Sequence, residues 1–216
     1  MQSAAPEFQE QMTRIQDLFP LLEECLDLSD DLRAVEAQHQ DLTGLDLSRL
    51  SARQVILQDC RLSNCSLNRC DLVDVLFQDC ELSNCDLTDG YLSRVVFQRC
   101  KAVGLRLTKA VGKDVQFQDC ALNYAGAAEA RLTRVTFEGC DLSEAALPRC
   151  QLKDCVFIRS NLTRTELFQT SLKGLDLRTC QIDGLLLSES MSELRGAKVD
   201  LFQAARLAER LGLVVE

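Results

Sequence analysis

Thiols are the side chains in this sequence best equipped for chemistry. Twelve cysteines lie among 216 residues. Cys80, Cys85 and Cys100 fall within one short stretch, "VLFQDCELSNCDLTDGYLSRVVFQRC" (75–100). Convergent thiolates hold zinc, usually from CxxC pairs, and paired thiols in an oxidising compartment form disulfides. The pattern fits neither well. No CxxC pair occurs, and His39 is the only histidine. The cysteine content lies below that of a disulfide scaffold. The N-terminus, "MQSAAPEFQEQ", lacks the basic and apolar stretches of a signal peptide. No apolar run is long enough to span a membrane. These features predict a cytoplasmic chain with reduced thiols.

What stands out is that the words around the thiols recur. "VLFQDC" at 75–80 returns as "VVFQRC" at 95–100. From residue 40 to 189 the chain divides every five residues without a break: QDLTG LDLSR LSARQ VILQD CRLSN, and onward to LLLSE. The central residue is Leu, Phe or Ile except at Ala52, Ala102, Gly112 and Ala127. A period of five suits neither a helix nor a simple strand. It suits a chain that turns a corner every five residues. A second period, twenty, joins Phe77, Phe97, Phe117, Phe137 and Phe157, with Leu57 and Leu177 at its ends. Four pentapeptides therefore make one coil, and residues twenty apart stand above one another, about 4.8 Å apart if coils pair like strands. The fold class is an all-β solenoid with a filled core.

Pentapeptides such as "CDLTD", "SNLTR" and "CDLSE" resemble the A-(D/N)-L-x-x consensus of the pentapeptide-repeat family. The resemblance implies a right-handed quadrilateral β-helix, with the central residue and the residue two before it pointing inward. Every cysteine but Cys25 occupies that second inward position. Cysteine there serves as a small apolar core residue. Stacked thiols also stand near enough to cross-link. Ala102, Gly112 and Ala127 mark a narrowed stretch, compensated by Tyr124 or its neighbours.

The ends differ from the repeats and divide the chain into residues 1–31, 32–199 and 200–216. At the N-terminus, Phe8, Met12, Ile15 and Phe19 fall at helical spacing. Pro20 then opens a second helical stretch, "PLLEECLDL". Near 188–191 the frame breaks, and it resumes with Leu194 and Val199 central. Asp200 and Gln203 form a capping-box signature for an amphipathic helix over 201–212. The stretch "LRGAKVDLFQAARLAERLGLVV" resembles the end of the quinolone-resistance (Qnr) group, where a terminal helix builds a symmetric dimer. The resemblance implies a homodimer interface containing Leu201, Leu207, Leu211, Leu213 and Val215. The plainer reading is a helical plug on the last coil, which solenoids require. The two are compatible.

Read as columns, the outward positions alternate in charge. One runs Asp74, Arg94, Asp114, Arg134, Asp154, another Arg69, Asp89, Lys109, Glu129, Arg149, and a third Arg61, Glu81, Lys101. Opposite charges stacked between neighbouring strands are mildly favourable. The net charge of −9 disfavours direct binding of nucleic acid. The first forty residues hold nine acids against two bases, and residues 90–113 hold six bases and no acid. Resemblance to the Qnr group implies a mimic of duplex DNA that binds type II topoisomerases, DNA gyrase among them, and protects them from fluoroquinolones. A nearly neutral solenoid is a poor match to that role, and a scaffold for protein interaction is the alternative. One outward column is apolar: Ile56, Leu76 and Val96, with Val156 further along. Either the N-terminal segment covers this stripe through Phe8, Met12, Ile15 and Phe19, or a partner does. No catalytic motif, nucleotide loop or metal signature is present, so no enzyme activity, cofactor or metal is expected.

Overall fold

The computed structural model describes residues 3–215. Its body is a parallel β-solenoid whose coils repeat every twenty residues. Eight-residue strands β2 (Asp31–Gln38), β3 (Ser51–Gln58), β4 (Asp71–Gln78) and β5 (Tyr91–Gln98) pair in parallel, with Leu57 beside Phe77 and Phe77 beside Phe97. Later coils carry the same ladder on three-residue strands: β6 (Val111–Lys113) and β7 (Gln116–Gln118), β8 (Arg131–Thr133) and β9 (Thr136–Glu138), β10 (Gln151–Lys153) and β11 (Val156–Ile158). As far as β11, two faces of each coil are strands. The other two are tight turns joined to neighbours by single bridges such as Arg61–Glu81 and Ser66–Asp86. The last coil, 171–190, has turns and bridges only.

The five-residue period has a backbone cause. Every fifth residue is left-handed: Asn64, Arg69, Asp74, Asp79, Asn84 and Asp89 have φ between 54° and 60°. On the turn faces the bend is closed by a bond three residues long, as from Cys65 N–H to Leu62 O at 3.1 Å. That is the type II pattern, which needs positive φ at its third residue. Gly104 is such a corner (φ 67°), and a Cβ there would meet Asn84 Oδ1 at 2.7 Å.

The interior is filled by its own side chains. Phe77, Phe97, Phe117, Phe137 and Phe157 form one stack, with centroids 4.7–5.0 Å apart and rings within 8° of parallel. The cysteines do more than fill space. Cys80 Sγ donates to Leu57 O at 3.3 Å and Cys65 Sγ to Leu42 O at 2.8 Å. Ser160, Thr165 and Thr170 hold the same inward position and donate in the same way, to Phe137 O, Leu142 O and Leu147 O. In the column from Cys60 to Cys180 every residue is a small donor, Ser160 included, whereas the columns of Cys65 and Thr170 also hold Ala125 and Ala130, which fill the space without donating. Where Gly112 narrows the core, Leu132 fills the gap, its Cδ2 3.0 Å from where a Cβ would lie. Tyr124, expected to compensate, is instead 58% exposed.

Both ends are covered. Helix α1 (Phe19–Leu28) has Pro20 in its first turn and buries Leu22 and Cys25 over the first coil, beside Leu18. The expected helix through Phe8, Met12, Ile15 and Phe19 does not form. Residues 3–12 run as an arm without regular structure, and β1 (Thr13–Ile15) pairs in parallel with β2, adding a strand to the open edge. Pairing an exposed edge outweighs a helical spacing that rests on four apolar residues.

At the far end, helix α2 (Leu201–Arg210) carries the capping box of Asp200 and Gln203. Gln203 Nε2 also donates to Leu177 O and Cys180 O, so the cap ties the helix to the last coil. Between them the frame slips by two residues. Leu162 N–H bonds Gln181 O, nineteen residues on, whereas Leu172 N–H bonds Glu193 O and Leu177 N–H bonds Lys198 O. Met191, at φ 48°, takes up part of the slip. Glu193 is buried there and replaces the lost ladder partner: its Oε1 accepts from Gln169 N–H at 2.9 Å and its Oε2 from Ser188 Oγ at 2.8 Å. Burial works to raise the Glu193 pKa, but these donors outweigh it and hold it below the usual carboxylate value.

Two outcomes follow for stability. Phe117→Ala, in the middle of the ring stack, loses about 3–5 kcal/mol, while Phe117→Leu, the residue at both ends of that column, loses about 1 kcal/mol. Equal losses in urea unfolding would refute the stack as a packing constraint. Glu193 contributes stability above its unfolded pKa of about 4.3, and that contribution is lost as pH falls through the lower folded value. Glu193→Gln therefore flattens the acid dependence of unfolding between about pH 5 and pH 3. Glu193→Ala strands the Gln169 amide at a cost of about 1–3 kcal/mol at pH 7.

Candidate functional site

Stacking coils bring outward residues into columns, and the expected charge ladders become ion pairs. Several bases reach the acid one coil earlier: Arg99 to Asp79 at 2.6 Å, Lys101 to Glu81 at 3.0 Å, Arg106 to Asp86 at 2.7 Å, Arg149 to Glu129 at 3.0 Å. Arg61 pairs backward with Asp41 at 3.7 Å rather than forward with Glu81. Four of the six bases at 90–113, Arg94, Arg99, Lys101 and Arg106, are thereby paired with acids of the preceding coil. On these columns the surface is a mosaic rather than an acidic stripe.

One ladder is partly buried. Arg94 holds Asp74 through two bonds of 2.6 Å, and Arg134 holds Asp114 in the same way. Asp74 and Asp114 are each 6% exposed because the N-terminal arm lies over them. Glu7 N–H donates to Asp74 Oδ1 at 2.9 Å, and Ala4 N–H to Asp114 Oδ1 at 3.3 Å. Gln54 Nε2 returns a bond to Glu7 O, and Ser3 Oγ meets Thr136 Oγ1. The Arg134 bond lowers the Asp114 pKa, against burial and aided by Ala4 N–H. For Asp74 burial is the largest influence and raises the pKa, yet the bonds from Arg94 and Glu7 together lower it.

The apolar stripe stands beside this column. Ile56 pairs with Leu76 and Leu76 with Val96 in strand register. Val96 is buried, whereas Ile56 and Leu76 keep partial exposure. Of the residues expected to cover the stripe, Phe8 and Phe19 are exposed, and Met12 and Ile15 are half-buried.

At the C-terminal end the apolar residues are mostly open. Leu201 (80% exposed), Leu211, Leu213 and Val215 face solvent, and Leu207 is half-buried against the core. Phe202 (81% exposed) and Val214 join this surface without having been singled out by the repeat pattern, because they lie beyond its frame. Met191, Leu194, Val199, Leu207 and Leu211 line an adjoining groove of about 420 Å³.

The thiols are all free and buried. Burial pushes Cys70 up to about 12 and Cys150 and Cys155 up to about 11, so these remain protonated and poor nucleophiles. Among the described residues no three His, Cys, Asp or Glu side chains come together as a metal site. The interior space under α1 is only about 20 Å³ and lined by residues such as Leu18, Leu32 and Phe77, room for one water at most. Among the described residues no helix is long and apolar enough to cross a membrane.

A family model described as "Pentapeptide repeat region" matches residues 31–107 and 130–198. The stretch it skips holds the core departures Gly112 and Ala127. Among solved structures, HetL from the cyanobacterium Nostoc sp. strain PCC 7120, a pentapeptide repeat protein involved in heterocyst differentiation regulation, is similar over 85% of this chain and 95% of its own, with a TM-score of 0.54 and 15% identity. Full-length QnrB1, a plasmid-mediated fluoroquinolone resistance protein, is similar over 82% of this chain and 100% of its own, with a TM-score of 0.47 and 17% identity. No curated protein sequence matches the chain. The twenty-residue coils, the left-handed corner at every fifth residue and the matched repeats together show that the chain belongs to the pentapeptide-repeat family.

Proposed function

We propose that this chain is a non-enzymatic, homodimeric solenoid that acts by binding another protein. The observation that carries this reading is the C-terminal surface. Leu201, Phe202, Leu211, Leu213 and Val214 are exposed together on and just after α2. Apolar side chains gathered in this way mark an interaction surface. A second copy meeting the same surface would bury it symmetrically, as a twofold interface does. The solenoid itself has a filled core and many of its outward charges engaged in pairs, which leaves surfaces rather than a cleft for function. The cytoplasm, with its reduced thiols, is the compartment this chemistry fits.

The narrower form of the reading is a mimic of duplex DNA that binds a type II topoisomerase and protects it from fluoroquinolones. It rests on the resemblance of residues 194–215 to the Qnr group. The paired ladders argue against it, since Arg94, Arg99, Lys101 and Arg106 cancel the acids that a mimic would display. They favour the alternative, a scaffold that binds proteins other than topoisomerases.

Two measurements separate these forms. In sedimentation the chain should have a mass about twice 24.1 kDa, and Phe202→Glu with Leu211→Glu should return it to a monomer with an unchanged circular-dichroism spectrum. A wild-type monomer at micromolar concentration rejects the dimer. In a gyrase supercoiling assay with and without ciprofloxacin, the mosaic surface predicts neither inhibition nor protection. Protection by the wild-type chain would establish the topoisomerase form instead.

A further inference from the structure

The arm and the ladder beneath it share a dimension. Glu7 and Ala4, three residues apart, donate their N–H groups to Asp74 and Asp114, two coils apart. Two coils span about 9.6 Å at strand spacing. Three residues of an extended, polyproline-like segment span about 9.3 Å. Pro6, between the two donors, favours that extended geometry. A column whose charge alternates coil by coil therefore presents a carboxylate at every third residue of an extended chain laid along it. The intervening Arg94 and Arg134 hold both carboxylates in place through paired bonds and cancel their charge.

We propose that the corner column Asp74–Arg94–Asp114–Arg134 is a track for extended polypeptide, occupied here by the chain's own arm, which an extended, proline-containing segment of a partner protein takes when the arm is out. The contacts read backbone: the N–H groups of Ala4 and Glu7 and the carbonyl of Glu7. A different sequence can make the same bonds if it is extended and keeps an N–H at both positions. The arm is held lightly. Ala4, Ala5 and residues 7–11 are exposed, so its release uncovers little apolar surface of its own. Release does uncover two oriented acceptors beside Leu76 and Val96, which would receive an apolar side chain of the incoming segment. The column continues beyond the described part of the arm to Asp154, two coils beyond Asp114. This surface is remote in sequence from α2, and its peptide-binding test depends neither on a dimer through α2 nor on a topoisomerase.

The test uses the full chain with Ala4→Pro and Glu7→Pro, which removes both N–H donors and nothing from the solenoid. The probe is a fluorescein-labelled peptide of residues 3–12, SAAPEFQEQM, read by fluorescence anisotropy. The variant should bind it roughly tenfold or more tightly than wild type, whose tethered arm competes at an effective concentration of about millimolar. A copy of the peptide N-methylated at the residues matching Ala4 and Glu7 should not bind, and Asp74→Ala with Asp114→Ala should abolish binding by the variant. Absence of binding to the variant, equal binding to variant and wild type, or equal binding of the N-methylated peptide each overturns the proposal. A self-association that the Ala4→Pro/Glu7→Pro change removes would assign the track to a second copy's arm and overturn it as well.

Discussion

Backbone hydrogen bonding between coils is the constraint from which the rest of this molecule follows. An amide on one coil meets a carbonyl nineteen residues ahead, as Leu62 meets Glu81, and an amide on the next looks back, as Glu81 does to Cys60. That ladder sets the rise per coil. It presses the phenylalanines into a stack with centroids no more than 5.0 Å apart, and it lines the outward charges into columns. It also requires a corner every five residues, so non-glycine residues accept a left-handed backbone that is unfavourable by roughly 1–2 kcal/mol in isolation. Because each coil is satisfied only by its neighbours, the two end coils need something else. Strand β1 with α1 meets that need at one end, and α2, with Gln203 bonded to Leu177 O and Cys180 O, meets it at the other.

The same geometry decides where function can reside. Inward positions are consumed by packing, and most of the inward thiols, Cys80 and Cys120 among them, spend their one donor on the previous coil's carbonyl. Many outward charges are consumed by pairing with the acid beneath them. What remains lies where periodicity stops: the C-terminal surface around Phe202 and the track beneath the N-terminal arm. Both are places where a segment outside the repeat meets the repeat.

Much of this is legible in the sequence. The columns of Phe77 to Phe157 and of Asp74 to Arg134 are periodic, and a periodic signal survives without knowledge of long-range contacts. The capping box of Asp200 and Gln203 is local, and so is the two-residue slip that puts Leu194 and Val199 back into the core. The arm was not legible. Its apolar residues recur at helical spacing, and what holds it extended is a pair of carboxylates at Asp74 and Asp114, distant in sequence. The role of Glu193 leaves no sequence signal, because nothing nearby in the chain shows that Gln169 has lost its carbonyl partner. The donor role of the cysteines did leave a trace, in the Ser160, Thr165 and Thr170 that replace them.

The alternation of charge along the columns has a consequence for length. Excising one coil, residues 85–104 for instance, would set Asp74 directly against Asp114, Asp79 against Asp119 and Arg69 against Lys109. Excising two, residues 85–124, would set Asp74 against Arg134 and Arg69 against Glu129. The core repeats with every coil, but these surface columns repeat with every second one. A rod of this kind can grow or shrink without electrostatic conflict only in units of forty residues.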